Sequence, residues 1–239
     1  MNISFSGHVI VVAGGTGGLG RAISLAFLAE HAKVTVTYRK EEEFRALREL
    51  AGEKGSSLEG CQIDVTDEAA TGEFIKEVLA KQSALDVLVN AVGGYAGGVK
   101  FWDMTAQVFD QMIALNLRSG YALARAAMPA MIKARRGSIV NISAKAAVDH
   151  GAGAAAYAAS KPAAVALMDS LAADSRGTGV RVNSILPSII DTPANRLAMP
   201  DSDFAAWPKP EEIAQVVLFL SSNFAKTIHG AALPVYGSA

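Results

Sequence analysis

Two residues, Tyr157 and Lys161, carry the first chemical signal in this chain. They stand four apart in "AYAASK", a spacing that sets both side chains on one face of a helix. A free phenol, with a pKa of about 10, exchanges protons poorly near neutrality. An ammonium group beside it favours the phenolate and lowers that pKa, each unit being worth about 1.4 kcal/mol. The pair therefore suits proton transfer to or from a substrate. Its bland alternative is an ordinary pair of neighbours on a helix.

The second signal is glycine-rich. "VIVVAGGTGGLGRAI" places Gly14, Gly18 and Gly20 in the pattern GxxxGxG, after an apolar strand and before an amphipathic helix. A backbone that approaches a phosphate closely has no room for Cβ atoms. The helix that follows offers free N–H groups and the positive end of its dipole. Thr16 and Gly17 add donors at low steric cost. In that setting the turn points to a bound nucleotide.

These residues need a scaffold, and the hydrophobic pattern supplies one. Strand-like runs occur at 8–14, 33–39, 59–65, 85–91, 137–143, 180–186 and 231–236, and most of them are Val, Ile and Leu without polar alternation. Such runs mark strands buried on both faces, as in a parallel sheet. Helical patterns fall between them, at roughly 19–31, 40–53, 67–82, 105–134, 154–175 and 211–222. The fold class expected is α/β: a Rossmann-type, doubly wound, mostly parallel sheet of about seven strands with helices on both faces. No linker or repeat divides the chain, so residues 1–239 read as a single dinucleotide-binding catalytic domain. The stretch 191–210 contains four of the eight prolines and no strand pattern. It follows a strand end, where open α/β sheets bind ligands, and reads either as a substrate lid or as a plain surface connection.

The end of the second strand bears on the coenzyme. An acidic tip suits the ribose hydroxyls of NAD, a cation the 2′-phosphate of NADP. Here the tip reads Tyr38-Arg39-Lys40, with no carboxylate, and Arg39 suits a charge-assisted phosphate contact. NADP is the expected coenzyme and NAD the alternative. In the competing reading, Arg39 and Lys40 are solvated charges paired with Glu41, Glu42 and Glu43.

Composition limits the partners. The net charge of −1 gives no reason to expect nucleic acid. Cys61 is the single cysteine, which forbids an intrachain disulfide and fits a reducing compartment. The N-terminus lacks the pattern of a signal peptide, and no apolar run reaches the roughly 18 residues of a membrane span. A cytoplasmic protein is expected. The four histidines show no metal-ligand spacing, so no metal site is expected. Tyr95, Trp102 and Trp207 suit either stacking on a flat ring or ordinary packing, and His150 either a substrate contact or an exposed loop position. The Ala-rich helices at 105–134 and 154–175 are apolar enough to suggest burial against a second subunit.

With these motifs in order, the chain resembles the short-chain dehydrogenase/reductase family over essentially its whole length. The resemblance rests on the glycine turn, Asp64-Val65, "Asn90-Ala91-Val92-Gly93", Asn116 in "ALNLRSG", Tyr157 with Lys161, and "Pro187-Ser188-Ile189-Ile190-Asp191-Thr192". It implies hydride transfer between a nicotinamide and a small carbonyl or alcohol, with Tyr157 as proton donor or acceptor. Lys161 would also hold the nicotinamide ribose, and Asn116 would anchor a water leading to the lysine. The coenzyme-binding set it implies is Gly14, Thr16, Gly17, Gly18, Leu19, Gly20, Tyr38, Arg39, Asp64, Val65, Asn90, Ala91, Val92, Ile142, Tyr157, Lys161, Pro187, Ile190 and Thr192. It further implies a homodimer or homotetramer.

The chain also departs from the family pattern. Ala13 replaces a threonine, Ala91 an asparagine and Ser188 a glycine, and Pro162 removes one helical N–H. The consequential change is Ala144, where most of the family has a serine that donates to the substrate oxygen. Loss of one such donor typically costs about 10²–10³ in rate. Ser143 would face the other way in an extended strand, unless a bulge re-aims it. Either the protein reduces carbonyls with other assistance, or its substrate develops little oxyanion. "Ala144-Lys145-Ala146-Ala147-Val148-Asp149", "GGYAGG" and 186–207 resemble segments of dihydropteridine reductase, a branch that also lacks the serine. That resemblance implies reduction of a quinonoid dihydropterin as the alternative. A non-catalytic, nucleotide-binding sensor or scaffold is the third reading.

Overall fold

The computed structural model describes residues 3–238. Seven strands form one parallel sheet: β1 (Val9–Ala13), β2 (Lys33–Tyr38), β3 (Leu58–Gln62), β4 (Val87–Asn90), β5 (Gly137–Ile142), β6 (Val180–Pro187) and β7 (Ala232–Val235). Their order is β3-β2-β1-β4-β5-β6-β7. The direction of winding reverses between β1 and β4, which opens a crevice at their C-terminal ends. β1 and β4 are buried at every position because helices cover both faces.

On one face lie α1 (Gly18–Ala29), α2 (Glu41–Ala51) and α8 (Pro210–Ser221). Their Ile23, Phe27, Phe44, Leu47, Ile213 and Val217 pack on Ile10, Val12, Val34 and Val140. On the other lie α3 (Glu68–Gln82), α5 (Ser119–Ala134) and α6 (Ala155–Asp174). There Phe74, Ile75, Leu123, Met131 and Met168 meet Val9, Val11, Leu88 and Ile139. Each such side chain fully withdrawn from water contributes about 1.5–3 kcal/mol before entropy is counted. Asp67 starts α3 by accepting from the Ala69 and Ala70 amides, and its carboxylate suits the positive end of the helix.

The expected strands and helices are present with shifted ends, and three differences are informative. The span 105–134 is not one α-helix. α4 (Ala106–Ile113) passes into a π-helical turn, Ala114–Arg118, before α5. Apolar periodicity does not register one inserted residue. The third strand stops at Gln62, so Asp64 and Val65 lie beyond it. The stretch 191–210 contains α7 (Pro193–Ala198), capped by the Thr192 hydroxyl, which accepts from the Asn195 amide at 3.2 Å. Threonine followed by proline is a helix-start signal, and the sequence reading passed over it. No helix among the described residues is long and apolar enough to cross a membrane.

Candidate active site

The predicted residues gather along one rim, at the C-terminal ends of β1, β2, β4, β5 and β6. At β1 the chain turns through Gly14, whose φ of 71° lies in the left-handed region. Its amide donates to Thr37 Oγ1 at 3.0 Å, which ties the turn to β2. The Gly17 amide donates to the Gly14 carbonyl at 3.2 Å, and α1 starts immediately afterwards. A Cβ on Gly20 would stand 2.1 Å from the Gly14 carbonyl oxygen, so the helix seats on the turn only with glycine there. No side chain caps α1, and its first amides remain available to an anion. Leu19 is buried in the core and offers only its backbone to a ligand. A Cβ on Gly18 would lie 3.0 Å from Thr192 Cγ2, which places Thr192 over the same turn.

At the tip of β2 the cations are already engaged. Arg39 Nη1 lies 2.7 Å from Asp64 Oδ2, and Lys40 pairs with Glu43 at 3.7 Å. The Tyr38 hydroxyl donates to Glu41 at 2.5 Å, and the Thr16 hydroxyl to Glu43 at 3.1 Å. That bond to Glu41 is the main cause that pushes the Tyr38 phenol up to about 12. Hydrogen bonds from Thr66, and then the guanidinium of Arg39, hold the Asp64 carboxyl below its usual range. The competing reading paired both cations with the glutamates of α2; Lys40 does meet Glu43, but the partner of Arg39 is the aspartate after β3.

Across the crevice, Asn90 ends β4 and donates to Asn141 Oδ1 at 2.9 Å. Its own Oδ1 accepts from the Val92 amide, and the Ala91 amide donates to the Ala13 carbonyl. Val65, Ile142 and Pro187 are buried where the strands give way to loops, and Ile190 is partly buried.

The proton-transfer pair stands on the first turns of α6. Lys161 is 5% exposed, and its Nζ lies over the Tyr157 ring, 5.6 Å from the centroid. A Cβ on Gly93 would come within 3.2 Å of that amine and 3.0 Å of Asn116 Oδ1. Asn116 sits in the π-helical turn, a distortion often found at functional sites. Its Oδ1 accepts from the Gly94 amide at 2.9 Å, while Nδ2 donates to the Gly94 carbonyl and to Ser160 Oγ, both at 3.0 Å. Ser160 in turn donates to the Tyr157 carbonyl. Asn116 thus ties the loop after β4 to the helix bearing the pair.

The electrostatics correct the sequence expectation. Lys161 was expected to lower the phenol's pKa. Burial instead pushes Tyr157 up to about 12, helped by Tyr95, and burial pulls Lys161 down to about 8. The amine lies over the ring face, and removal from water penalises the charged form of each group. A buried amine with no carboxylate within 4.0 Å among the described residues suits a ligand rich in hydroxyl and phosphate oxygens. The glycine turn, crowded against any Cβ, suits the same ligand. The site therefore fits a nicotinamide dinucleotide.

The comparisons agree. A family model described as short chain dehydrogenase matches residues 8–203. The chain is 30% identical over 239 residues to the 3-oxoacyl-acyl-carrier-protein reductase FabG of Thermotoga maritima, covering 97% of each. The chain belongs to the short-chain dehydrogenase/reductase family. It is an NAD(P)-dependent oxidoreductase. It is also 32% identical over 244 residues to a D-threitol dehydrogenase of Mycolicibacterium smegmatis, covering 97% of this chain and 92% of that one. A solved structure described as ElxO with NADP bound superposes with a TM-score of 0.91 at 25% identity, covering 96% of this chain and 97% of that one.

Within that family the chain keeps its departures in three dimensions. Ala144 is extended and partly exposed at the end of β5. Ser143 does not replace the missing hydroxyl: it is buried, and its Oγ donates to the Lys161 carbonyl at 3.2 Å. Tyr95 meets Tyr157 edge-on with centroids 5.0 Å apart, and Trp102 is largely exposed nearby in sequence. Trp207 is buried and packs on Phe204, so it is an anchor of the 191–210 segment. In that segment Arg196 holds Asp191 through two bonds of 2.5 and 2.7 Å, and a cavity of about 360 Å³ separates it from α1. His150 is exposed, its Nδ1 3.1 Å from the Ala146 carbonyl. Thr37, Glu43 and Ser160 shape the site and were not singled out beforehand for that role. Thr37 was legible as a polar residue inside an apolar strand; the other two had no distinguishing signal.

Proposed function

We propose that the protein reduces a small carbonyl compound with NADPH, and that Tyr157 delivers the proton. The observation that carries the reading is the Tyr157–Lys161 pair beside Gly93, with a phenol that keeps its proton at neutral pH. Burial keeps the Tyr157 phenol protonated at neutral pH, so the proton that reduction requires is present on the residue beside the site. When bound, the coenzyme supplies a hydride. The glycine turn and the start of α1 hold its pyrophosphate, Asp64 and Val65 its adenine, and Lys161 its ribose hydroxyls. Tyr157 Oη holds the proton for the substrate oxygen. Asn116 fixes the Gly94 peptide and, through Ser160, the turn of α6 that carries both groups.

NADP is supported by the cations Arg39 and Lys40 and by the NADP named for the ElxO structure. Arg39 would exchange Asp64 for the 2′-phosphate. A carbonyl substrate is supported by the reductase and dehydrogenase names of the relatives. The 191–210 segment, anchored by Trp207 and bearing exposed Leu197, serves as the substrate lid. We assign the protein to the cytoplasm, as a homodimer or homotetramer.

The test is Tyr157→Phe. It should bind NADPH as wild type does, read by coenzyme fluorescence, and lose about 10²–10⁴ of turnover across a panel of aldehydes and ketones. Full turnover in this variant would remove Tyr157 from the chemistry. A second reading, reduction of a quinonoid dihydropterin, is favoured by one observation. Ser143 is turned into α6, so neither residue 143 nor residue 144 offers the substrate a hydroxyl. A ring that accumulates little negative charge on oxygen has no need of one. Efficient pterin turnover with weak ketone turnover would select it.

A further inference from the structure

Lys145 is a cation that the mechanism leaves without a task. It follows Ala144 directly and opens the helical turn Lys145–Ala147 at the C-terminal end of β5. The residue is half-buried. Among the described residues no carboxylate lies within 4.0 Å of its amine, and the amine donates no side-chain hydrogen bond. Asp149, one turn on, gives its backbone amide to the Lys145 carbonyl and leaves the ammonium alone. The amine lies over the Tyr236 ring, 5.2 Å from Nζ to centroid. A ring face attracts a cation but accepts none of its three N–H bonds conventionally.

The place of this contact gives it meaning. Tyr236 directly follows β7, and its carbonyl accepts from Ser188 Oγ at 2.7 Å. The Ser188 amide donates to the Val235 carbonyl at 3.2 Å, just past the end of β6. Lys145, Ser188 and Tyr236 therefore cap β5, β6 and β7, the half of the sheet that lies beyond the nucleotide crevice at β1 and β4. Ligands of an open α/β sheet bind outside these strand ends. An ammonium with open donors there, steered by a ring, is a receptor for negative charge.

We propose that Lys145 is a specificity residue whose ammonium binds a carboxylate on the carbonyl substrate, so that the protein prefers oxo acids to neutral carbonyl compounds. The inference rests on the reductase reading above. It also changes the meaning of Ala144: the site holds its substrate by a remote charge, where most of the family uses a hydroxyl at the reacting oxygen.

The experiment titrates NADPH-saturated protein calorimetrically with 4-(hydroxymethyl)benzoate and with the neutral 4-(hydroxymethyl)benzamide. Both are product-like alcohols that cannot react with the reduced coenzyme, so turnover is not needed. Wild type should bind the carboxylate about 10-fold more tightly, the equivalent of about 1.4 kcal/mol. Lys145→Met should equalise the two, with affinity for the amide and for NADPH unchanged, and Lys145→Arg should keep the preference. Equal binding or no binding by wild type, or a preference retained in Lys145→Met, overturns the proposal. Failure of wild type to bind NADPH would instead sink the NADPH-dependent reading on which the inference rests.

Discussion

At the scale of single residues, burial dominates the chemistry of this site. Lys161 has a depressed pKa of about 8 against an ordinary value of 10.5, because water is excluded from its amine. Between those values the unfolded chain binds a proton that the folded chain does not, so stability rises with pH. Below pH 8 both states are protonated and the penalty for a buried charge is present in full. The rise from pH 7.5 to 9.5 should be about 2 kcal/mol and should vanish in Lys161→Met, as urea denaturation at the two pH values will show. Tyr157 acts in the opposite sense, but only above pH 10, where the unfolded phenol ionises and the folded one does not. The second residue-scale prediction concerns Ala144. Ala144→Ser should raise kcat on neutral ketones by about 10-fold or more if oxyanion charge limits the rate, as steady-state kinetics will show. The identity of these residues was legible in the sequence because their spacing is local. Their electrostatics were not: a four-residue interval cannot tell whether an amine faces a hydroxyl or the ring that carries it.

At the scale of elements, the π-helical turn between α4 and α5 does the positioning. It aims Asn116 at the Gly94 peptide and Ser160, joining two segments that are distant in sequence. Removing that side chain strands buried donors and acceptors, at about 1–3 kcal/mol. Asn116→Ala should therefore lower the urea midpoint and slow turnover together, while NADPH still binds at the glycine turn; an unchanged midpoint would deny it this bracing role. The sequence named Asn116 through the family motif and placed it on a helix. It could not show the extra residue in that helix, since the Ala-rich pattern of 105–134 reads as helical throughout. The glycine turn was legible for the opposite reason. Its demands, a left-handed φ at Gly14 and no Cβ at Gly20, are met by one residue type, and composition alone displays them.

At the scale of the whole molecule, the two helical layers cover the sheet but leave large apolar side chains exposed on the outside of α5. Tyr121 and Ile132, three turns apart on α5, stay exposed on the side that also bears Arg125. Burial against a second copy of the chain would account for such a face. Sedimentation should find a dimer or tetramer, and the double change Tyr121→Asp with Ile132→Asp should yield a monomer; a monomeric wild type would remove the argument. The architecture was legible because buried parallel strands are continuous apolar runs, and those runs repeat along the chain. One link between neighbouring strands has a further consequence. The guanidinium beyond β2 is already neutralised by the aspartate beyond β3. A phosphate arriving there swaps one anion for another, and so gains less than it would from a lone cation. If Arg39 meets the 2′-phosphate as proposed, coenzyme choice would be a contest for a shared counter-ion, and the economical way to retune it would be to weaken the incumbent anion and leave the positive charge as it is.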